Sequence, residues 1–447
     1  MTSGSVANMN VLSFLRYVFG ACGLIYALYV ICTGDYASQR IAIALMTVFL
    51  SVVLVATVRA NVLLFAISIV ILYANYSACL CNTFPPYSGY ETVYSSDPVS
   101  SLGMVVLLLF VASLLLFLPT KIVGNADLHL FDRWGWCRYS TPLVCLIFIA
   151  LVGIFFFCSS GFSNTGGRAE NNSIFEYSYI LFIFGFLVSG RKRALRTLMV
   201  VAAALYIAQA FFGGNRASVL AVVLLLFVLY FANKLDWKSA LPFLVVGMLL
   251  MTALGYFRNS EEMFLLKIPD AISTSLQNGL NWDTASYAFH QSLAFIRLDE
   301  AIASDEHLYL LRQWVLSWFV GSGMVPDSSL PAYSQQLYPG MGGGFLPIYG
   351  FFYFGVPGVM IFALVIAMWF RSINKLNKDS STYSCVLCIS VAITFCRWYL
   401  YSPSPLTTGI LLISILYSLM SLMVGRDLRN VDLRKRAALG GRHLQVR

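Results

Sequence analysis

The chain is built from long apolar runs separated by short polar turns. Runs of about 17 to 25 apolar residues are what a helix needs to cross hydrocarbon. Such runs begin near Val11, Ile41, Asn61, Leu102, Pro142, Ile174, Leu198, Ser218, Ala240, Leu346, Thr382 and Leu406. None shows the alternation of barrel strands, and a backbone in lipid must satisfy its own hydrogen bonds, so each run predicts an α-helix. The expected fold is an all-α polytopic membrane protein of about twelve transmembrane helices. Residues 1–257 hold nine of them, 258–345 form one large extracytoplasmic loop, 346–424 hold the last three, and 425–447 form a basic tail. The two halves differ plainly, unlike transporters built from inverted repeats.

Composition agrees. The 447 residues are 59% hydrophobic and 11% charged, where a soluble domain is near half apolar and a quarter charged. A soluble fold this size has too little interior for that much apolar surface. Most of the 10 Cys sit inside apolar runs and act as small hydrophobes. The first run, Val11 to Ile31, is long enough to span and has no evident cleavage site, so no cleavable signal is expected.

The net charge of +9 sits largely in the tail and short loops, so it reports orientation rather than a nucleic-acid partner. Arg59, Lys121, Arg133, Arg138, the run Arg191 to Arg193, Arg196, Lys234, Lys238, Arg371, Lys375, Lys378 and the tail all fall on one side of the twelve-span layout. By the positive-inside rule that side is cytoplasmic, and both termini share it.

The opposite side nevertheless carries arginines. Arg168 follows Gly166 and Gly167, Arg216 follows Gly213, Gly214 and Asn215, and Arg258 follows a helix end. Arg297 and Arg312 lie in the large loop, and Arg397 is near the outer end of its helix. A guanidinium fork suits phosphate, and neighbouring glycines let backbone amides approach an anion. The plainer reading makes each of these a snorkelling or loop-anchoring residue. In the loop, Asp283 is a plausible helix cap. On the following stretch His290 and Arg297 share a helical face with Glu300. His290 or a nearby carboxylate is a candidate general base; Arg297 and Glu300 fit a surface pair equally well. Residues 313–320 are too short to span, which leaves an interfacial or a re-entrant segment. The run from Tyr338 to Phe345, with Gly340, Gly342, Gly343 and Gly344, reads either as an anion-binding helix entrance or as a hinge. No metal spacing, phosphate-loop lysine or dinucleotide fingerprint is present, so no cofactor is expected.

Gly213-Gly214-Asn215-Arg216 opening an apolar helix resembles an element of bacterial O-antigen (Wzy-type) polysaccharide polymerases. Gly342-Gly343-Gly344-Phe345 followed by Phe354-Gly355-Val356-Pro357-Gly358-Val359, Gly167-Arg168 and the single large outer loop fit the same pattern. The Glu and Asn that many members carry between the last two elements have no counterpart in 348–353. The resemblance implies a metal-independent, GT-C-like glycosyltransferase of the bacterial inner membrane. It would join undecaprenyl-pyrophosphate-linked oligosaccharide units into surface polysaccharide on the periplasmic side, with membrane lipid and a chain-length regulator as partners. It implies that Arg168, Arg216 and Arg258 hold pyrophosphate, that His290 or a carboxylate handles the acceptor proton, and that Arg297, Arg312, Arg397, Gly213, Gly214 and Gly343 are further contacts. An O-antigen ligase and a lipid-linked glycan flippase are the competing expectations.

Overall fold

The computed structural model describes residues 3–83, 98–124, 131, 139–158, 173–212, 216–257, 269–270, 273, 284–340 and 342–443; for 3–12, 212, 216–217, 248, 250–257, 284 and 424–443 it describes backbone alone. The helices are α1 (Ser3–Thr33), α2 (Arg40–Val58), α3 (Val62–Thr83), α4 (Pro98–Phe117), α5 (Ser140–Cys158), α6 (Ser173–Tyr177), α7 (Tyr179–Ser189), α8 (Arg193–Phe212) and α9 (Arg216–Tyr230). They continue as α10 (Trp237–Phe257), α11 (Thr284–Ala301), α12 (Ser304–Val320), α13 (Leu330–Ser334), α14 (Leu346–Asn374), α15 (Thr382–Ile393), α16 (Phe395–Leu400) and α17 (Ser404–His443). All the apolar runs read from the sequence fall in helices, and the described residues contain no strand. Among them, 8 helices are long and apolar enough to cross a membrane, which makes the chain an all-α membrane protein.

Two apolar clusters make up the interior. In the first, α4 is apolar all round and buried almost without interruption from Val99 to Leu115, as a fully enclosed helix should be. Helices α1, α2 and α14 pack around it. The second cluster joins α5, α7, α8, α9, α15 and α17. At one end of the bundle Ser13 and Arg16 of α1 donate to the carbonyls of Thr120 and Pro119, and Asn374 of α14 donates to that of Lys121. Lys121, Arg371 and Lys375 therefore share one end, as their reading as same-side residues requires.

Three helices depart from regular geometry. The run from Ile174 breaks at Ser178, whose Oγ donates back to the Phe175 carbonyl (2.7 Å). The run from Thr382 breaks at Thr394, which donates to the Ser390 carbonyl (2.8 Å). Such back-bonding competes with the helical ladder. In α14, Gly355 takes φ +61° just before Pro357, and the kink brings Gly350 against Gly358. A Cβ on residue 358 would stand 2.1 Å from the Gly350 carbonyl oxygen, so no side chain fits there.

The segment read as one large loop divides into parts with different solvents. Helix α11 is inserted into the bundle against α3, α4 and α14, with Ala285, Phe289, Leu293 and Leu298 buried. Helix α12 instead has a buried face (Leu310, Trp314, Ser317) and an exposed arc of Leu308, Arg312, Val315, Leu316 and Phe319. An outward arc that apolar suits a helix lying along a membrane surface.

Candidate functional site

The two helix breaks face each other. The short helices they create, α6 and α16, place Glu176 and Arg397 in an ion pair that joins positions 221 residues apart. Both side chains are about one-fifth exposed, at 17% and 20%. The Arg397 guanidinium also stands 5.6 Å from the centre of the Tyr177 ring, close enough for a cation–π attraction. Tyr206 of α8 fixes α6 from behind: it donates to the Phe175 carbonyl at 2.8 Å and stacks on the Phe175 ring at 4.5 Å. The Tyr206 hydroxyl also lies against Ser218, in the first turn of α9. The N-terminus of α9, where Arg216 stands, thus closes on the same cluster.

Arg397 is also the polar end of an apolar groove. A cavity of about 440 Å³ is walled by α3, α9, α10, α15 and α16, with Ile67, Leu224, Phe227 and Phe243 along its length. It follows α3 from Leu63 to Tyr73, about 15 Å of helix rise. Arg397 is the one charged residue among the described residues of its lining. A groove with apolar walls and a guanidinium at its mouth fits an amphiphile with a long hydrocarbon chain and an anionic head.

Beside this site, the glycine run before α14 is clamped rather than open. Gln291 Oε1 accepts from the Gly342 amide (3.0 Å), the Gly344 amide donates to the Leu400 carbonyl (3.0 Å), and the Phe345 amide donates to Ser292 Oγ (2.8 Å). Gly343 has φ +88°, and a Cβ there would meet the Leu400 carbonyl oxygen at 3.0 Å. The run ties α11 to α16, and those three amides are spent on protein partners rather than presented to an anion.

The remaining candidates scatter. His290 on α11 is only 9% exposed, and burial pushes its pKa down to about 4, so at neutral pH it is uncharged and a poor proton acceptor. Arg297 pairs with Glu300 at 3.0 Å on the surface, and Arg312 lies on the exposed arc of α12. Arg168, Arg258, Gly213, Gly214 and Asp283 lie outside the described residues, and of Arg216 only the backbone is described. Two groups not singled out from the sequence come forward, Glu176 and His307. His307 Nε2 is 3.0 Å from Asp299 Oδ1 and its ring stacks on Phe352 at 4.5 Å. Burial raises the Asp299 pKa against the opposing pull of His307. Among the described residues no three His, Cys, Asp or Glu side chains gather as metal ligands would.

Comparison of the chain with family models, curated proteins and solved structures returns no match. Its activity has to be argued from its own residues.

Proposed function

We propose that the protein is a membrane-embedded glycosyltransferase that polymerises oligosaccharide repeat units carried on a polyprenyl pyrophosphate. The apolar groove that ends on Arg397 carries this reading. A polyprenyl chain lies along α3 and α9, and its pyrophosphate reaches Arg397 and the α9 N-terminus at Arg216. A guanidinium has five N–H donors, more than the Glu176 carboxylate uses, so it can hold carboxylate and phosphate together. The acceptor hydroxyl oxygen attacks the anomeric carbon as the bond from that carbon to the pyrophosphate oxygen breaks. Negative charge grows on the leaving pyrophosphate, where Arg397 and Arg216 stabilise it. The hydroxyl proton passes to the Glu176 carboxylate. Breaking the pyrophosphate ester supplies the free energy, and no nucleotide is consumed.

In this reading the chain crosses the bacterial inner membrane twelve times in a GT-C-like arrangement, with both termini cytoplasmic. The groove mouth opens on the periplasmic side, and α12 lies in the outer leaflet interface. Arg168 and Arg258 retain the pyrophosphate-binding roles that the family resemblance implies.

The test is a polysaccharide ladder from a deletion strain complemented with wild type, Arg216→Ala or Arg397→Ala. Single repeat units on the lipid core in the deletion strain, and no ladder from either variant when it reaches the membrane in normal amounts, are expected. Polymer of normal length in the deletion strain would end the polymerase reading. Polymer made but left unattached would point to a ligase.

A further inference from the structure

The end of the bundle opposite Arg397 holds a second cavity, of about 570 Å³, between α1, α4 and α14. Its lining brings together Lys121, Arg371 and Lys375 and, among the described residues, contains no carboxylate. None of these three cations takes part in an ion pair among the described residues. Like charges that line one cavity repel one another, and a described lining without an acid leaves room for an external anion. The rest of the wall is mixed: Leu116 and Phe117 of α4 and Leu364 of α14 form an apolar side, while Tyr17, Thr120 and Asn374 add polar groups.

The cavity is also held in shape. Ser13 and Arg16 tie the 119–120 backbone to α1 at 3.2 and 2.9 Å. Asn374 grips the next residues from α14, donating to the Lys121 carbonyl (2.8 Å) and accepting from the Val123 amide (2.7 Å). The three cations thus project from a loop and a helix end that are bonded to each other.

We propose that this cavity binds the headgroup of an anionic phospholipid in the adjacent leaflet. Its phosphate sits among Lys121, Arg371 and Lys375, and an acyl chain runs down Leu116 and Leu364, the latter already 41% exposed on the lipid-facing side of α14. A free phosphate ion shares the headgroup chemistry but has no use for the apolar wall. The proposal is independent of the polymerase reading, because it concerns the other end of the bundle and needs only that the chain spans a membrane.

The test uses the full chain in nanodiscs of phosphatidylcholine doped with phosphatidylglycerol, followed by mild detergent extraction and native mass spectrometry. Wild type is expected to keep phosphatidylglycerol severalfold above its share of the bilayer. The double variant Arg371→Gln, Lys375→Gln is expected to lose that enrichment, whereas Lys378→Gln, a nearby cation outside the cavity, keeps it. The single variant Lys121→Gln is expected to lower the enrichment by itself. Equal retention of both lipids by wild type, or unchanged enrichment in the double variant and in Lys121→Gln, would overturn the proposal. Displacement of the lipid by millimolar inorganic phosphate would assign the site to a soluble ion instead.

Discussion

Two arginine–glutamate pairs differ in where the fold puts them. Arg297 and Glu300 are neighbours on one turn of α11, 34% and 53% exposed, and meet at 3.0 Å with nothing else required. Arg397 and Glu176 lie 221 residues apart in the sequence, meet only because two helices break, and are mostly buried beside an apolar groove. An exposed helical pair contributes a few tenths of a kcal/mol and is screened by salt. A buried pair is costly to form and strongly destabilising to break by halves, because the survivor is an unpaired buried charge. The fold tolerates that liability at the end of the groove, where the proposed anionic ligand would meet the guanidinium.

The comparison breaks most visibly at Arg397. Arg397→Ala should abolish polymer formation and, by stranding Glu176, cost about 3 to 5 kcal/mol, read as a loss of thermal stability in detergent. Glu176→Gln should keep the fold closer to wild type yet still stop polymerisation, which separates a proton acceptor from a purely structural partner. Next in size is a pH effect at His290. Folded, it stays neutral down to about pH 4; unfolded, it takes up a proton below 6.5. Stability should therefore be complete above pH 6.5 and fall as the pH drops toward 4, by about 3 kcal/mol for this one group. His290→Gln should flatten that part of the pH–stability curve. Gly343→Ala, forced into positive φ against the Leu400 carbonyl, should cost about 1 to 3 kcal/mol, measurable as a lowered melting temperature. Smallest of all, Arg297→Ala should shift stability by under about 0.5 kcal/mol and leave polymer length unchanged.

Much of the fold was legible in the sequence, because span length and hydropathy are imposed by the bilayer itself. The surface pair Arg297–Glu300 was legible too, since helical spacing alone makes it. What hydropathy could not reveal were the breaks at Ser178 and Thr394, which are single back-bonded hydroxyls inside apolar runs. Without them nothing in the sequence set Glu176 apart, and Arg397 read only as a further contact near a helix end. The burial of α11 was hidden for a different reason. Its Gln291 and Ser292 look solvent-facing until their partners, Gly342 and Phe345, are known to lie against them. Those same bonds decide between the two readings of the glycine run: it is a clamped strap, neither an open anion cradle nor a free hinge.

The central claim is that the groove ending on Arg397 holds the lipid-linked donor. The most direct measurement is elongation of a polyprenyl-pyrophosphate-linked repeat unit by the purified full chain in nanodiscs, without nucleotide or added metal, for wild type, Arg397→Ala and Arg297→Ala. The account predicts polymer from wild type and Arg297→Ala and none from Arg397→Ala. No elongation by wild type, or equal elongation by all three, would contradict it.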